Sequence, residues 1–269
     1  RVAALLGSRL GDVITGDMVA ALLLDPCGGR KGVPANARVV PFCNHADTLA
    51  RRAAGRRVAA AILRRGSHVE RVVVGAARAA DAGFEAWQPS AVIVLAAGGA
   101  TRYGRLKQAE VWQGRPFLTR VVDAALASLA GEILVVLGCQ ADELVALLSH
   151  YRSSRLHTTI NPAWEEGQAS SVRVAIAHLS ERVQAAVFCT ADQPLLSDRE
   201  INALLARHAA TGAPIVAPRL GGQWRSPVLF TRRLFAELAT LQGDVGGRAV
   251  LDRHRAQVES LDVTDPLPY

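Results

Sequence analysis

From residue 91 onward, short apolar strands alternate with amphipathic helices. This predicts an α/β fold, with a Rossmann-like, mostly parallel open sheet covered by helices on both faces. Two further observations support it. Residues 92–96 form a continuous apolar run, as a strand buried on both faces requires. A turn of small residues, Ala97-Gly98-Gly99-Ala100-Thr101, follows directly, and sheets of this kind bind ligands at the carboxyl ends of their strands. Residues 1–87 read as a small partial α/β unit preceding this domain, which takes residues 88–269.

In the first unit, residues 17–24 have a short helical pattern and residues 25–34 form a turn-rich loop. Residues 37–43 are strand-like through Val39, Val40 and Phe42, and Asn44-His45-Ala46-Asp47 ends them. Residues 50–64 are helical by composition and period, and residues 69–75 are a second strand. Strand, helix and strand make one βαβ unit, which implies parallel pairing. Residues 79–90, punctuated by Trp87, Gln88 and Pro89, read as a linker.

In the second domain, the strand at 92–96 is followed by a helix at 116–129. That helix has Pro116 in its first turn and Leu118, Val121, Val122, Ala125 and Leu129 on one stripe. Strands at 132–137, 157–160 and 185–190 then alternate with helices at 141–150, 170–179 and 197–210. Ser197 with Glu200 is a capping box. Short strands at 215–217 and 228–230 and helices at 233–241 and 248–253 complete the series.

Composition narrows the possible functions. Half of the 269 residues are hydrophobic and a fifth are charged, so a sizeable core is expected and nothing reads as disordered by composition. The longest apolar runs, 19–24 and 92–97, are far too short for a bilayer, and no signal-peptide pattern opens the chain, so no membrane partner is expected. The first residue is Arg1 rather than Met, as expected of a fragment or a processed chain. Cys27, Cys43, Cys139 and Cys189 are scattered, without zinc spacing; Cys43, Cys139 and Cys189 sit in apolar strand-like contexts and read as buried reduced thiols, which fits a cytoplasmic setting. The net charge of +7 lies mostly in residues 1–90, with 13 Lys and Arg against 7 Asp and Glu. Its arginine pairs lie on an Ala-rich helix without aromatic partners, which reads as a solvated or interdomain face rather than a nucleic-acid surface.

The chemistry centres on the glycine turn. Gly98 and Gly99 let backbone N–H groups approach phosphate oxygens, and Arg102 and Lys107 supply positive charge. The spacing fits neither a P-loop nor a dinucleotide fingerprint, and an ordinary strand-to-helix turn is the competing reading. Asp192 follows the apolar strand ending at Thr190 and is free of a capping role, which Ser197 takes. A hard carboxylate beside a polyphosphate suits Mg²⁺, which needs few protein ligands. Gly167, Ser170 and Ser171 open a helix and offer amides and hydroxyls to a nucleotide, or cap that helix.

The pattern L-A-A-G-x-x-x-R-x-G-x-x-K, carried by Leu95, Ala96, Ala97, Gly98, Arg102, Gly104 and Lys107, resembles the opening of the MobA-like nucleotidyltransferases. Within them it is most similar to the molybdenum cofactor cytidylyltransferases. The run from Asn161 to Ser171 resembles that family's N-P-x-W-x-x-G-M-x-S-S. Asp192-Gln193-Pro194-Leu195 resembles its metal motif, with Ala191 where Gly is usual. Ser226-Pro227-Val228-Leu229-Phe230 is similar to G-H-P-V-L-F, with Ser226 in place of His and Arg225 in place of Gly. The run from Gly243 to Arg248 is similar to G-D-x-G-A-R.

The resemblance implies transfer of CMP from CTP to the terminal phosphate of molybdopterin, with release of pyrophosphate. No general base is needed, because that phosphate is already ionised. Lys107, Arg102 and Asp192 would be catalytic, with Asp192 on Mg²⁺. Leu95, Ala96, Ala97, Gly98, Gly99, Arg102, Lys107, Gly167, Ser170 and Ser171 would bind the nucleotide, and Ser226, Asp244 and Arg248 the acceptor. Ala97, where guanylyltransferases usually carry Gly, tilts the nucleotide toward CTP.

Residues 31–34 and 38–47 resemble the C-terminal part of the selenium-dependent hydroxylase accessory (YqeC-like) family, without its glycine-rich nucleotide loop. Asn44-x-x-Asp47 is also similar to a guanine-reading motif, although Asp47 suits a helix N-cap. The cytidylyltransferase and YqeC-like resemblances together imply maturation of a molybdenum hydroxylase cofactor, with an apo-hydroxylase as partner. A guanylyl- or sugar-phosphate nucleotidyltransferase is one alternative. A non-catalytic cofactor chaperone is another, motivated by Ser226 and by residues 262–269, where the family's closing D-I-D-T-P-E-D-type segment is missing or scrambled.

Overall fold

A computed structural model of the chain describes residues 42–43, 49–65, 69–74, 85–99 and 106–263. The readings at 17–24, 25–34 and 44–47, the residues Cys27, Arg102 and Gly104, and the terminal segment 264–269 lie outside the described residues. The chain divides into two units, Arg1–Pro89 and Ser90–Tyr269. Among the described residues, no helix is long and apolar enough to cross a membrane.

In the first unit, β1 (Phe42–Cys43), α1 (Leu49–Arg65) and β2 (Val72–Val74) form the expected βαβ unit, with Phe42 parallel to Val73. The stretch expected as linker contains a third strand, β3 (Glu85–Trp87), antiparallel to β2. Its central feature is an acid that ordinarily argues against a buried strand. Glu85 is 2 % exposed and accepts from Arg56 Nε at 2.8 Å, Arg56 NH2 at 2.5 Å and Trp87 Nε1 at 2.9 Å. The arginine face of α1 is therefore partly committed to neutralising a buried carboxylate, not simply solvated.

The second unit runs β4 (Ser90–Ala96), β5 (Val111–Trp112), β6 (Arg115–Pro116), α2 (Phe117–Ala127), β7 (Glu132–Leu137), α3 (Ala141–Leu148), β8 (Leu156–Ile160), α4 (Gln168–His178), β9 (Ala185–Thr190), α5 (Asp198–Thr211), β10 (Ile215–Leu220), β11 (Gln223–Trp224), β12 (Val228–Thr231), α6 (Phe235–Leu238), α7 (Arg248–Arg253) and β13 (Val258–Asp262). Eight of these strands make one sheet in the order β11-β10-β12-β9-β4-β7-β8, with β13 parallel to β10. β8, β7, β4 and β9 are mutually parallel, and β12 runs against both β9 and β10.

Apolar alternation explains the layering. Ala91 and Ile93 of β4 share one core with Val172 of α4, Leu238 of α6, Leu251 of α7 and Phe230. Val92 and Val94, also fully buried, point to the opposite face, where α2 and α5 pack together. The Ser197–Glu200 capping box opens α5 as expected.

Three expectations shift. Pro116 stands at the N-cap of α2, paired with Val111 in the β5–β6 hairpin, rather than inside its first turn. The helix expected at 233–241 is a 3-10 turn, Arg232–Leu234, running into the four-residue α6, after which tight turns carry Leu241 into the core. β13 was not expected, because as a half-exposed edge strand it lacks a clear apolar stripe.

The connections place a crevice. The chain lays β7 and β8 on one side of β4, then crosses back to put β9 on the other. At such a reversal the loops after neighbouring strands part, and a ligand site opens at their carboxyl ends.

Candidate active site

The ends of β4 and β9 are laced together before any side chain acts. Ala191 N donates to Leu95 O at 3.0 Å, and Cys139 N, after β7, donates to Ala97 O at 3.0 Å. Around them lies a cleft of about 680 Å³ lined by Leu95, Ala97, Gly98, Gly99, Lys107, Gln108, Trp164–Gln168, Ser171, Thr190–Asp192 and Asp244.

Lys107 and Asp192, 85 residues apart in sequence, meet here with Nζ on Oδ2 at 2.7 Å. Thr190 Oγ1 donates to the other carboxylate oxygen at 2.5 Å. Burial pushes the Asp192 carboxyl up, but the bonds from Lys107 and Thr190 outweigh it and hold the group below the usual carboxylate range. Both side chains stay nearly half exposed and within reach of a ligand.

The remaining predicted residues separate by position. Leu95, Ala97, Gly98, Gly99, Gly167 and Ser171 line the cleft. Ala96 is buried and does not; strand alternation turns it away from the face that Leu95 and Ala97 present. Ser170 is likewise buried, accepting from Asn161 Nδ2 at 2.7 Å and donating to Gly167 O at 2.8 Å, so it braces the turn from behind. Asn161 also donates to Ser171 Oγ at 3.0 Å.

Ser226 and Arg248 line a second, smaller cavity of about 220 Å³. Its walls are largely apolar: Val172, Phe188, Trp224, Val228, Phe230 and Leu251, with Arg225 also present. The two cavities share Leu95, Gln168 and Thr190. Asp244, grouped by sequence with Ser226 and Arg248, lies instead on the larger cleft and accepts from Gln168 N at 3.4 Å, at the start of α4.

Two residues missed by the sequence reading join these parts. Trp164 walls the cleft so closely that a Cβ on Gly99 would lie 2.8 Å from its ring. Gln193 Oε1 accepts from Ser226 Oγ at 2.9 Å and from Thr190 N at 3.3 Å, and its Nε2 donates to Ser226 O at 3.1 Å. Gln193 thereby ties the Asp192 turn to the second cavity. Both residues stand inside motifs already quoted, and those motifs were the available signal.

Gly167 has φ +102° and ψ −178°, a conformation essentially confined to glycine. A Cβ there would lie 2.5 Å from the Gly243 carbonyl carbon and 2.6 Å from Asp244 N, backbone that cannot swing aside. Gly167→Ala should destabilise the protein by roughly 3 kcal/mol, combining backbone strain with displacement of the 243–244 turn. Gly212→Ala, at φ +68° with nothing within 4 Å, should cost only about 1 kcal/mol. Thermal denaturation of both variants checks the contrast; equal losses would show that the close approach is unimportant.

Comparison with known proteins agrees with this architecture. Over 133 residues the chain is 35% identical to the bifunctional protein GlmU of Sorangium cellulosum, a match covering 47% of this chain and 28% of that protein's length. Rv0371c of Mycobacterium tuberculosis H37Rv, solved in complex with manganese, superposes with a TM-score of 0.55 at 23% identity, covering 68% of this chain and 91% of that one. The 4-diphosphocytidyl-2C-methyl-D-erythritol synthase of Anaerococcus prevotii gives 0.53 at 15% identity, covering 67% and 89%. These two likenesses establish the fold. Residues 92–258, which hold the strand order, the crevice and both cavities, match the MobA-like NTP transferase domain, and the chain belongs to that family of nucleotidyltransferases.

Proposed function

We propose that this nucleotidyltransferase moves CMP from CTP to the terminal phosphate of molybdopterin and releases pyrophosphate. The observation that carries the reading is the Lys107–Asp192 pair on the larger cleft, beside a smaller apolar cavity edged by Ser226 and Arg248. A triphosphate suits the cleft, and a flat heteroaromatic acceptor with an anionic arm suits the cavity.

The donor set fits Mg²⁺. Among the described residues no group of three or more His, Cys, Asp and Glu could hold a metal, so a closed protein cage is not on offer. Asp192 is a single, accessible carboxylate, and Mg²⁺ is commonly held by one or two carboxylates, substrate phosphates and water. The charge balance points the same way. Glu165, Glu166, Asp192 and Asp244 line the cleft, while Lys107 is the one cation lining it among the described residues. A polyphosphate entering that surface needs further positive charge, and the sequence offers Arg102, three residues after Gly99, for part of it. Mg²⁺ bound at Asp192 would supply the rest, offsetting charge on the phosphates and the leaving pyrophosphate.

The chain's own residues do the positioning. Gly98 and Gly99 admit the phosphates, and Trp164 closes one wall. Thr190 and Lys107 fix the Asp192 carboxylate. Lys107 would neutralise charge building on the α-phosphate. Gln193 holds the acceptor cavity in register with Asp192, so that the two reactants meet at a fixed distance. Residues 1–87 we assign as a remnant of the YqeC-like accessory family. Free Cys139 and Cys189 fit a cytoplasmic setting, where an apo-hydroxylase would receive the product.

Pyrophosphate release with CTP, GTP, ATP and UTP, each with and without molybdopterin and with Mg²⁺ or Mn²⁺, tests the reading. Release is expected with CTP and molybdopterin together. Release with GTP, or with a sugar phosphate as acceptor, would replace the substrate assignment. Tight pterin binding with no release under any condition would make the protein a cofactor carrier.

A further inference from the structure

Gln108 is only 8 % exposed, yet it lines the nucleotide cleft one residue after Lys107. Its Nε2 donates to Gly98 O at 2.7 Å and to Ala96 O at 3.3 Å. Two carbonyl oxygens on one side of the amide fix which atom is the nitrogen. The other amide atom, Oε1, is buried and has no hydrogen-bond partner among the described residues.

A buried acceptor without a partner costs the fold the desolvation of that atom and gives nothing back, whereas an apolar side chain of similar shape would carry no such penalty. Gln108 is thus a poor choice for stability alone. Its donors, however, hold two carbonyls that bracket the turn between β4 and Gly99. In a trans peptide the C=O and the following N–H point in opposite directions. Holding the carbonyls of Ala96 and Gly98 therefore sets the directions of the Ala97 and Gly99 N–H groups. In a glycine turn with little stiffness of its own, that restraint decides whether the amides are already aimed when phosphates arrive.

We propose that Gln108 is a positioning residue for the nucleotide: it pre-sets the Ala97–Gly99 backbone, and the protein tolerates a buried acceptor unpaired among the described residues to keep that restraint. The proposal rests on nucleotide binding in this cleft and not on the identity of the base or the acceptor.

Gln108→Met removes both the donor and the orphaned acceptor at nearly constant volume. Gln108→Glu keeps the shape but sets a second acceptor against the two carbonyls. Nucleotide dissociation constants would be measured by titration calorimetry for CTP, GTP, ATP and UTP with Mg²⁺. Melting temperatures of the nucleotide-free proteins would be measured in parallel. Gln108→Met should weaken binding of the preferred nucleotide about tenfold while its melting temperature is unchanged or higher. Gln108→Glu should bind at least as weakly as Gln108→Met. Binding by Gln108→Met within about twofold of the parent chain overturns the proposal, as does a loss that tracks a fall in melting temperature. If the parent chain prefers GTP or UTP, the cytidylyl assignment falls while the comparison between parent and variant stands.

Discussion

Asp192→Asn should lower turnover by about a thousandfold, roughly 4 kcal/mol of transition-state stabilisation, and leave the fold intact. Asparagine keeps the size of the side chain and one oxygen for the Thr190 hydroxyl, but it gives up the charge that Lys107 and a divalent cation would share. The ion pair lost is one between two half-exposed groups, so its stability contribution is about 1 kcal/mol or less. Turnover and melting temperature should therefore part company. A loss of turnover smaller than tenfold, or a large fall in melting temperature, would remove Asp192 from the catalytic role. The sign of the acid dependence also follows. The folded-state carboxyl lies below its unfolded value, so its contribution to stability is complete above the ordinary carboxylate range and fades only as pH falls through the lowered folded value. Asp192→Asn should accordingly leave the mildly acidic side of the stability profile unchanged.

Charged residues at strand ends were readable because their position alone is informative. Asp192 stands two residues beyond β9 with the capping role taken by Ser197, the glycine turn after β4 leads on to Lys107, and the topology brings the two together. Neutral polar residues were not readable in this way. Gln108 and Gln193 act through amides whose partners lie up to 33 residues off, and nothing in their local pattern separates a braced amide from a solvated one. Ala96 and Ser170 stand in motifs that reach the cleft, yet alternation along β4 turns the Ala96 side chain away from it and Asn161 draws Ser170 behind its turn. Glu85 hid a strand for a third reason: its neutralising partner, Arg56, lies 29 residues earlier, on α1. For Gln193 and Glu85 the missing information was a partner distant in sequence; for Ala96 it was the alternation of β4 itself, and for Ser170 a partner nine residues away.

Lys107→Met should produce two effects of opposite sign, and together they test what the Lys107–Asp192 contact is for. Facing the nucleotide, Lys107 is the one cation among the described lining residues against four carboxylates. Its removal should cut kcat/KM by a hundredfold or more, about 3 kcal/mol, through lost charge stabilisation. Facing Asp192 in the ligand-free protein, the same ammonium competes for the carboxylate oxygen at 2.7 Å. Its removal should tighten Mn²⁺ binding to the nucleotide-free protein about fivefold, since a half-exposed ion pair contributes about 1 kcal/mol. Electron paramagnetic resonance of free Mn²⁺ reads the second effect without any turnover. Lys107→Arg separates charge from shape: it should keep the competition with Mn²⁺ but recover only part of kcat/KM, because a planar guanidinium places its charge differently from an ammonium. Were Mn²⁺ affinity unchanged or weaker in Lys107→Met, the ion pair would not be what the cation displaces. The coupling would then run through the nucleotide alone. If the expected tightening is seen, the ligand-free site holds its own carboxylate neutralised until an incoming triphosphate draws Lys107 away, and cation and nucleotide then bind cooperatively because each removes the other's competitor.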